Sequence, residues 1–125
     1  RMLYSTGQFN ATEKKSLEIL ARIDSGMVGY EGISGRYAAF YLGQINEQKR
    51  DFDRAKFFYQ RAVDFALGQD ATDSGYYLYS MLSLGEIAMH QGDEEAAEDY
   101  FKQVKKDARR KDNVHKRARS LLKEM

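Results

Sequence analysis

The feature that most constrains this chain is a set of landmarks that return 42 residues later. Leu42-Gly43 recurs as Leu84-Gly85, Ala55 as Ala97, and Tyr59 as Phe101. Self-similarity at a fixed period of this size marks a repeat architecture, in which each unit buries its apolar face only against its neighbours. The flanking residues say what the unit is. Ala38, Tyr41, Leu42 and Ile45 fall at three-and-four spacing, as do Ala55, Phe58, Tyr59, Ala62, Val63 and Ala66, and that period puts each set on one side of a helix. Tyr77, Met81, Leu84, Ile87 and Ala88, then Ala96, Ala97, Tyr100, Phe101 and Val104, repeat the pair. Two helices joined by a short turn are antiparallel neighbours. A glycine inside a helix costs about 1 kcal/mol relative to alanine. Gly43 and Gly85 are therefore expected where the partner helix crosses closely, against the methyls of Ala55 and Ala97.

The flanks complete the organisation. Gly7 is expected to end a short stub at Met2, Leu3 and Tyr4, and Asn10 or Thr12 to cap a helix with Leu17, Leu20, Ala21 and Ile23 on its apolar side. Asp51 or Asp53 starts the second helix of the first full unit, Gly92-Asp93 makes the turn of the next, and Asp112 or Asn113 caps a last helix. That helix shows Val114, Ala118, Leu121 and Leu122 on one side and Lys116, Arg117, Arg119 and Lys123 on the other, as the end of a stack requires. The expected division is a single domain over 1–125, made of a partial repeat (1–25), two full repeats (36–67 and 76–109) and a capping helix (112–125). Because the first residue is Arg1, the chain is expected to be a piece of a longer protein.

Leu-Gly, then an Ala twelve residues on and an aromatic four further, resembles the tetratricopeptide repeat pattern W-x2-L-G-x2-Y…A-x3-F. The likeness spans roughly residues 36–109. Ala39 and Met81 stand where the pattern has Trp, Asn46 and Ala88 where it has Tyr, and the closing proline is absent. The period exceeds the usual 34 residues, so helices or connections should be longer than standard. The resemblance implies an all-α fold, a right-handed stack of antiparallel helical hairpins (an α-solenoid) with a C-terminal capping helix. It also implies a non-enzymatic scaffold that binds a protein or peptide. In such stacks the first helix of each pair lines the groove, which here assigns Tyr37, Phe40, Gln44 and Glu47 from one unit and Tyr79, Leu82, Glu86 and Met89 from the next. The members that grip C-terminal carboxylates use Lys, Arg and Asn there. Phe40, Gln44, Leu82 and Glu86 do not fit that activity.

Little in the chain points to catalysis. The absence of cysteine excludes disulfides, thiol catalysis and thiolate metal sites. His90 and His115 fall in different helices with no ligand spacing around them, so neither a metal nor a cofactor is expected. His90 reads as a helix C-terminal residue. The acidic run Asp93, Glu94, Glu95, Glu98 and Asp99 opens a helix, where the dipole favours it. Glycines 26, 29, 32 and 35 are read as a flexible connection or a close backbone passage, since a phosphate loop would need a preceding strand and a Lys-Ser/Thr ending. No run of 18 apolar residues exists to span a membrane.

Net charge is +1, but residues 1–101 hold ten Lys/Arg against sixteen Asp/Glu while 102–125 hold ten against three. An acidic body with a basic end fits an acidic partner or a neighbouring copy in a homo-oligomer. Nucleic acid or an anionic lipid surface, bound through the basic C-terminal region, is the lesser alternative, since no stacking aromatics follow Phe101 and no recognised nucleic-acid motif is present.

Overall fold

A computed structural model describes residues 6–26 and 33–125, and among them every regular element is a helix. In order these are α1 (Thr6–Asp24), α2 (Ile33–Gln48), α3 (Phe52–Gly68), α4 (Gly75–His90), α5 (Glu94–Asp107) and α6 (Asn113–Glu124). Each helix packs on the next in the chain, and α4 also touches α2 and α6. This is an all-α stack of hairpins, α2 with α3 and α4 with α5. The stub at Met2 to Tyr4 and two of the four spaced glycines, Gly29 and Gly32, lie outside the described residues.

The two hairpins turn in the same way. Asp51 Oδ1 accepts from the Arg54 amide at 3.2 Å and Asp93 Oδ1 from the Ala96 amide at 3.1 Å, so each aspartate satisfies a first-turn N–H that the helix leaves unpaired. Their own amides donate back to Asn46 O and Ala88 O, both at 2.9 Å. Between helix and cap the chain passes through a left-handed residue, Arg50 (φ 62) in the first hairpin and Gly92 (φ 83) in the second. The long period resides in the 16- and 17-residue α2 and α3 and in the connection 69–74 before α4.

Packing follows the helical stripes. Ala38, Leu42 and Ile45 of α2 and Ala55, Phe58, Tyr59, Ala62, Val63 and Ala66 of α3 are buried, as are Tyr77, Met81, Leu84, Ile87 and Ala88 of α4. One core cluster joins α1, α2 and α3, the other runs from α3 to α6, and Phe40 packs against both. Asn46, where the repeat pattern has Tyr, is buried too; its Nδ2 donates to Leu42 O at 2.8 Å and its Oδ1 accepts from Arg54 Nε at 3.3 Å.

Three expectations need correcting. Gly7 does not end a helix, and Asn10 and Thr12 do not begin one, because α1 runs unbroken from Thr6; one glycine's propensity cost is small beside tertiary packing. On α1 the buried residues are Ser16 and Leu20, with Ile19 and Ile23 partly buried, while Leu17 is 41% exposed and Ala21 is exposed. α1 lies along α2, shares its core cluster with Phe58 and Ala62 of α3, and is tied to α3 by the Asp24–Arg61 ion pair at 2.8 Å, so only the side facing them is covered. Finally, the space beside Gly43 and Gly85 is taken by rings rather than by the methyls of Ala55 and Ala97. A Cβ on Gly85 would meet Phe101 Cε1 at 2.5 Å, and one on Gly43 would meet the Tyr59 ring.

Candidate functional site

The first helices of the hairpins, α2 and α4, lie side by side, and α6 follows α4 in the same position. Tyr37, Phe40, Tyr41, Gln44 and Glu47 are half-buried along α2; Tyr76, Glu86 and Met89 are half-buried along α4, where Tyr79 is 43% exposed. Leu82, assigned to this wall from the sequence, is only 5% exposed and belongs to the core. It falls within about 60° of Tyr79 around α4, but the packed core covers it, so it offers a partner no surface.

At the N-terminal end of the two helices four rings gather. Tyr37 and Tyr41 stand one turn apart with centroids 4.6 Å from each other. Tyr76 of α4 reaches across to Phe40 at 5.5 Å, to Tyr37 at 6.1 Å nearly edge-to-face, and to Tyr41 at 6.5 Å. Such pairs contribute about 0.5–1.5 kcal/mol each beyond their buried area, so Tyr76 ties α4 to α2 as well as shaping the surface. Burial, with the neighbouring Tyr41 and Tyr37, pushes the Tyr76 hydroxyl above its ordinary value. Beside this cluster an open cavity of about 380 Å³ is lined by Phe40, Ser74, Gly75, Tyr76 and Tyr79. Tyr41 was read from the sequence as core and Tyr76 was not singled out. The i, i+3 spacing of Tyr76 and Tyr79 on α4 was the signal that could have found it.

The C-terminal end is polar. Tyr59 of α3 reaches through to this side and donates its hydroxyl to Glu47 Oε1 at 2.7 Å. Burial, and next the Glu47 charge, hold that phenol protonated far above its ordinary range. Glu86 has a raised carboxyl pKa, chiefly through burial and against the opposing pull of Arg117, whose Nη2 stands 3.7 Å from Glu86 Oε2. Gln44 keeps a buried Oε1 with no hydrogen-bond partner. A second cavity, about 440 Å³, opens where α2 and α4 end, between Glu47, Gln48, Arg50, Phe52 and His90. Among the described residues no three His, Asp or Glu side chains come together as a metal site, and no helix is long and apolar enough to cross a membrane. The wall thus offers exposed aromatic surface at one end and carboxylates at the other, which suits contact with a polypeptide.

Comparison with protein families matches the tetratricopeptide repeat over residues 38–67 and again over 78–106. No curated protein and no solved structure matches the chain. The two matched segments coincide with the hairpins α2–α3 and α4–α5, whose Leu-Gly and Ala-x3-aromatic landmarks meet as Gly43 on Tyr59 and Gly85 on Phe101. The protein is therefore a divergent tetratricopeptide-like helical repeat.

Proposed function

We propose that this is a non-enzymatic interaction module whose wall of α2, α4 and α6 takes a peptide or helical segment of another protein. Tetratricopeptide repeats generally mediate protein–protein contacts. The observation that carries the finer reading is Tyr79, a large aromatic left 43% exposed over a cavity whose other wall is the Tyr76–Phe40 pair. Tyrosine suits such a role because it offers a large contact area with few rotatable bonds to fix. The contacts proposed are Tyr37, Phe40, Tyr76 and Tyr79 for an apolar anchor and Gln44, Glu47, Glu86 and Met89 for the remainder. Tyr37→Ala combined with Tyr79→Ala is expected to abolish partner capture while leaving helix content unchanged. Phe57→Ala, 58% exposed on α3, serves as the control that leaves capture intact. Equal capture by all three proteins would dispose of the groove.

A second reading, self-assembly, rests on Leu17 and Ala21, exposed on the side of α1 that nothing in the described residues covers. Light scattering separates it: a mass that rises with concentration and falls back in Leu17→Glu supports it, and a concentration-independent monomer excludes it.

A further inference from the structure

We propose that the outer faces of α3 and α5 form the interface of a twofold-symmetric homodimer, in which two copies meet face to face with these helices antiparallel. The surface is separate from the inner wall and from the uncovered side of α1. α2, α4 and α6 touch in succession and form one layer of the stack, which leaves α3 and α5 in the other. On α3 the large apolar side chains Phe57 and Leu67 are more than half exposed. With Gln60 and Asp64, also exposed, they recur at steps of three, four and three residues and fall within roughly 80° of one another around the helix.

The order of the side chains selects the occupant. Reversed about Ala62, the α3 stripe maps onto itself: Phe57 comes opposite Leu67 of the second copy, and Gln60 opposite its Asp64. On α5 the sign of charge inverts along the helix. Glu94, Glu95, Glu98 and Asp99 are exposed in the first half and Lys102, Lys105 and Lys106 in the second, and Glu95, Glu98, Lys102 and Lys105 lie within roughly 80° of one another. Antiparallel copies set the acidic half of each against the basic half of the other, whereas parallel copies set like against like. An interface with twofold symmetry requires this self-complementarity.

Most of these charges are unspent within the chain. Lys102 stands 3.4 Å from Glu98, but Glu94, Glu95, Asp99, Lys105 and Lys106 make no ion pair among the described residues. At the edge of the face Arg61 is held by Asp24 of α1 at 2.8 Å and Arg54 by Asp51 at 4.0 Å. α3 adds both signs, Asp53 and Lys56 in its first half and Asp64 in its second. A polyanion, whether a phosphate backbone or an anionic bilayer, would meet repulsion over the acidic part, and a peptide of uniform charge would meet it over half its length. Two helices about 25 Å long and together about 20 Å wide bury about 500 Å² of each copy, about 1,000 Å² in all, the lower bound of a specific interface. The dimer is therefore weak, held by the two Phe57–Leu67 contacts, while the exposed ion pairs set its orientation more than its affinity.

The test is sedimentation equilibrium of the whole chain from about 10 to about 500 µM, the range suited to an interface of this size. The mass should rise from that of one chain toward that of two. Phe57→Glu/Leu67→Glu should stay monomeric, and Leu17→Glu, on α1, should dimerise like the unaltered protein. Glu95→Lys/Glu98→Lys and Lys102→Glu/Lys105→Glu each make the α5 stripe single-signed and should weaken dimerisation by about tenfold or more, while an equimolar mixture of the two should restore it. Circular dichroism should be unchanged throughout, since every altered side chain is exposed. A monomer at all concentrations, a mass that climbs past two chains, or a mixture no more dimeric than its components overturns the proposal. So does a dimer that Leu17→Glu dissolves, which would assign assembly to α1, or binding of phosphatidylserine vesicles that Phe57→Glu/Leu67→Glu loses, which would give the face to a membrane.

Discussion

The ring of Tyr59 fills the space that a side chain on Gly43 would need: a Cβ built there would lie 2.5 Å from Tyr59 Cδ1 and 2.6 Å from Cε1. The hairpin closes because one partner has no side chain. Gly43→Ala gains about 1 kcal/mol of helix propensity and meets an overpacking cost of about 1–3 kcal/mol, so a net loss of up to about 2 kcal/mol is expected from urea unfolding. In a Tyr59→Ala background the obstruction is gone, and the same change should become stabilising. A loss of equal size in both backgrounds would show that the ring is not what excludes the methyl.

Arg50 and Gly92 occupy equivalent places, 42 residues apart, in the two left-handed turns. A residue with a Cβ is disfavoured there by about 1–2 kcal/mol, partly offset by the greater unfolded-state freedom of glycine. Arg50→Gly is therefore expected to raise stability by about 0.5–1 kcal/mol and Gly92→Arg to lower it by a similar amount. The comparison of the two urea midpoints checks it, and a destabilised Arg50→Gly would contradict the account.

Ser80 is fully buried on α4 and its Oγ has no hydrogen-bond partner. The equivalent residue of α2 is Ala38, also fully buried. A buried hydroxyl left unpaired costs about 1–3 kcal/mol, so Ser80→Ala should stabilise the protein by about 1 kcal/mol or more, read as a shift of the thermal midpoint. An unchanged or lower midpoint would mean that the hydroxyl is satisfied in solution.

Glu86 bears on stability through pH. Burial raises its carboxyl pKa, so the folded state holds its proton more tightly than the unfolded chain does. Stability is then greatest below the unfolded carboxyl range and declines as pH rises through the folded value. Glu86→Gln should be more stable than the unaltered protein at neutral pH, with the difference vanishing as pH falls below the ordinary glutamate range. An advantage that persists at low pH would point to another cause.

The wall of α2 and α4 was only partly legible in the sequence. Tyr37, Gln44, Glu47 and Glu86 are positions that the repeat resemblance implies, and they lie half-buried along it. Leu82 shares the side of α4 that holds Glu86 but is covered by the core, because α4 is apolar almost all round and position around the helix does not tell how far its neighbours cover it. Tyr76 has no counterpart one period earlier, where Ser34 stands, so the repeat itself gave no hint of it.

By itself the sequence determined the helices, their pairing and most of the buried stripe, because periodicity and turn-capping aspartates are local properties of the chain. Tertiary structure alone decided what filled the glycine notches, which face of α1 was covered, and which charges found partners. Those outcomes depend on the distance between side chains far apart in the chain: Tyr59 reaches Gly43 where Ala55 was expected, and Arg117 reaches Glu86 while Lys116 and Arg119 make no ion pair among the described residues.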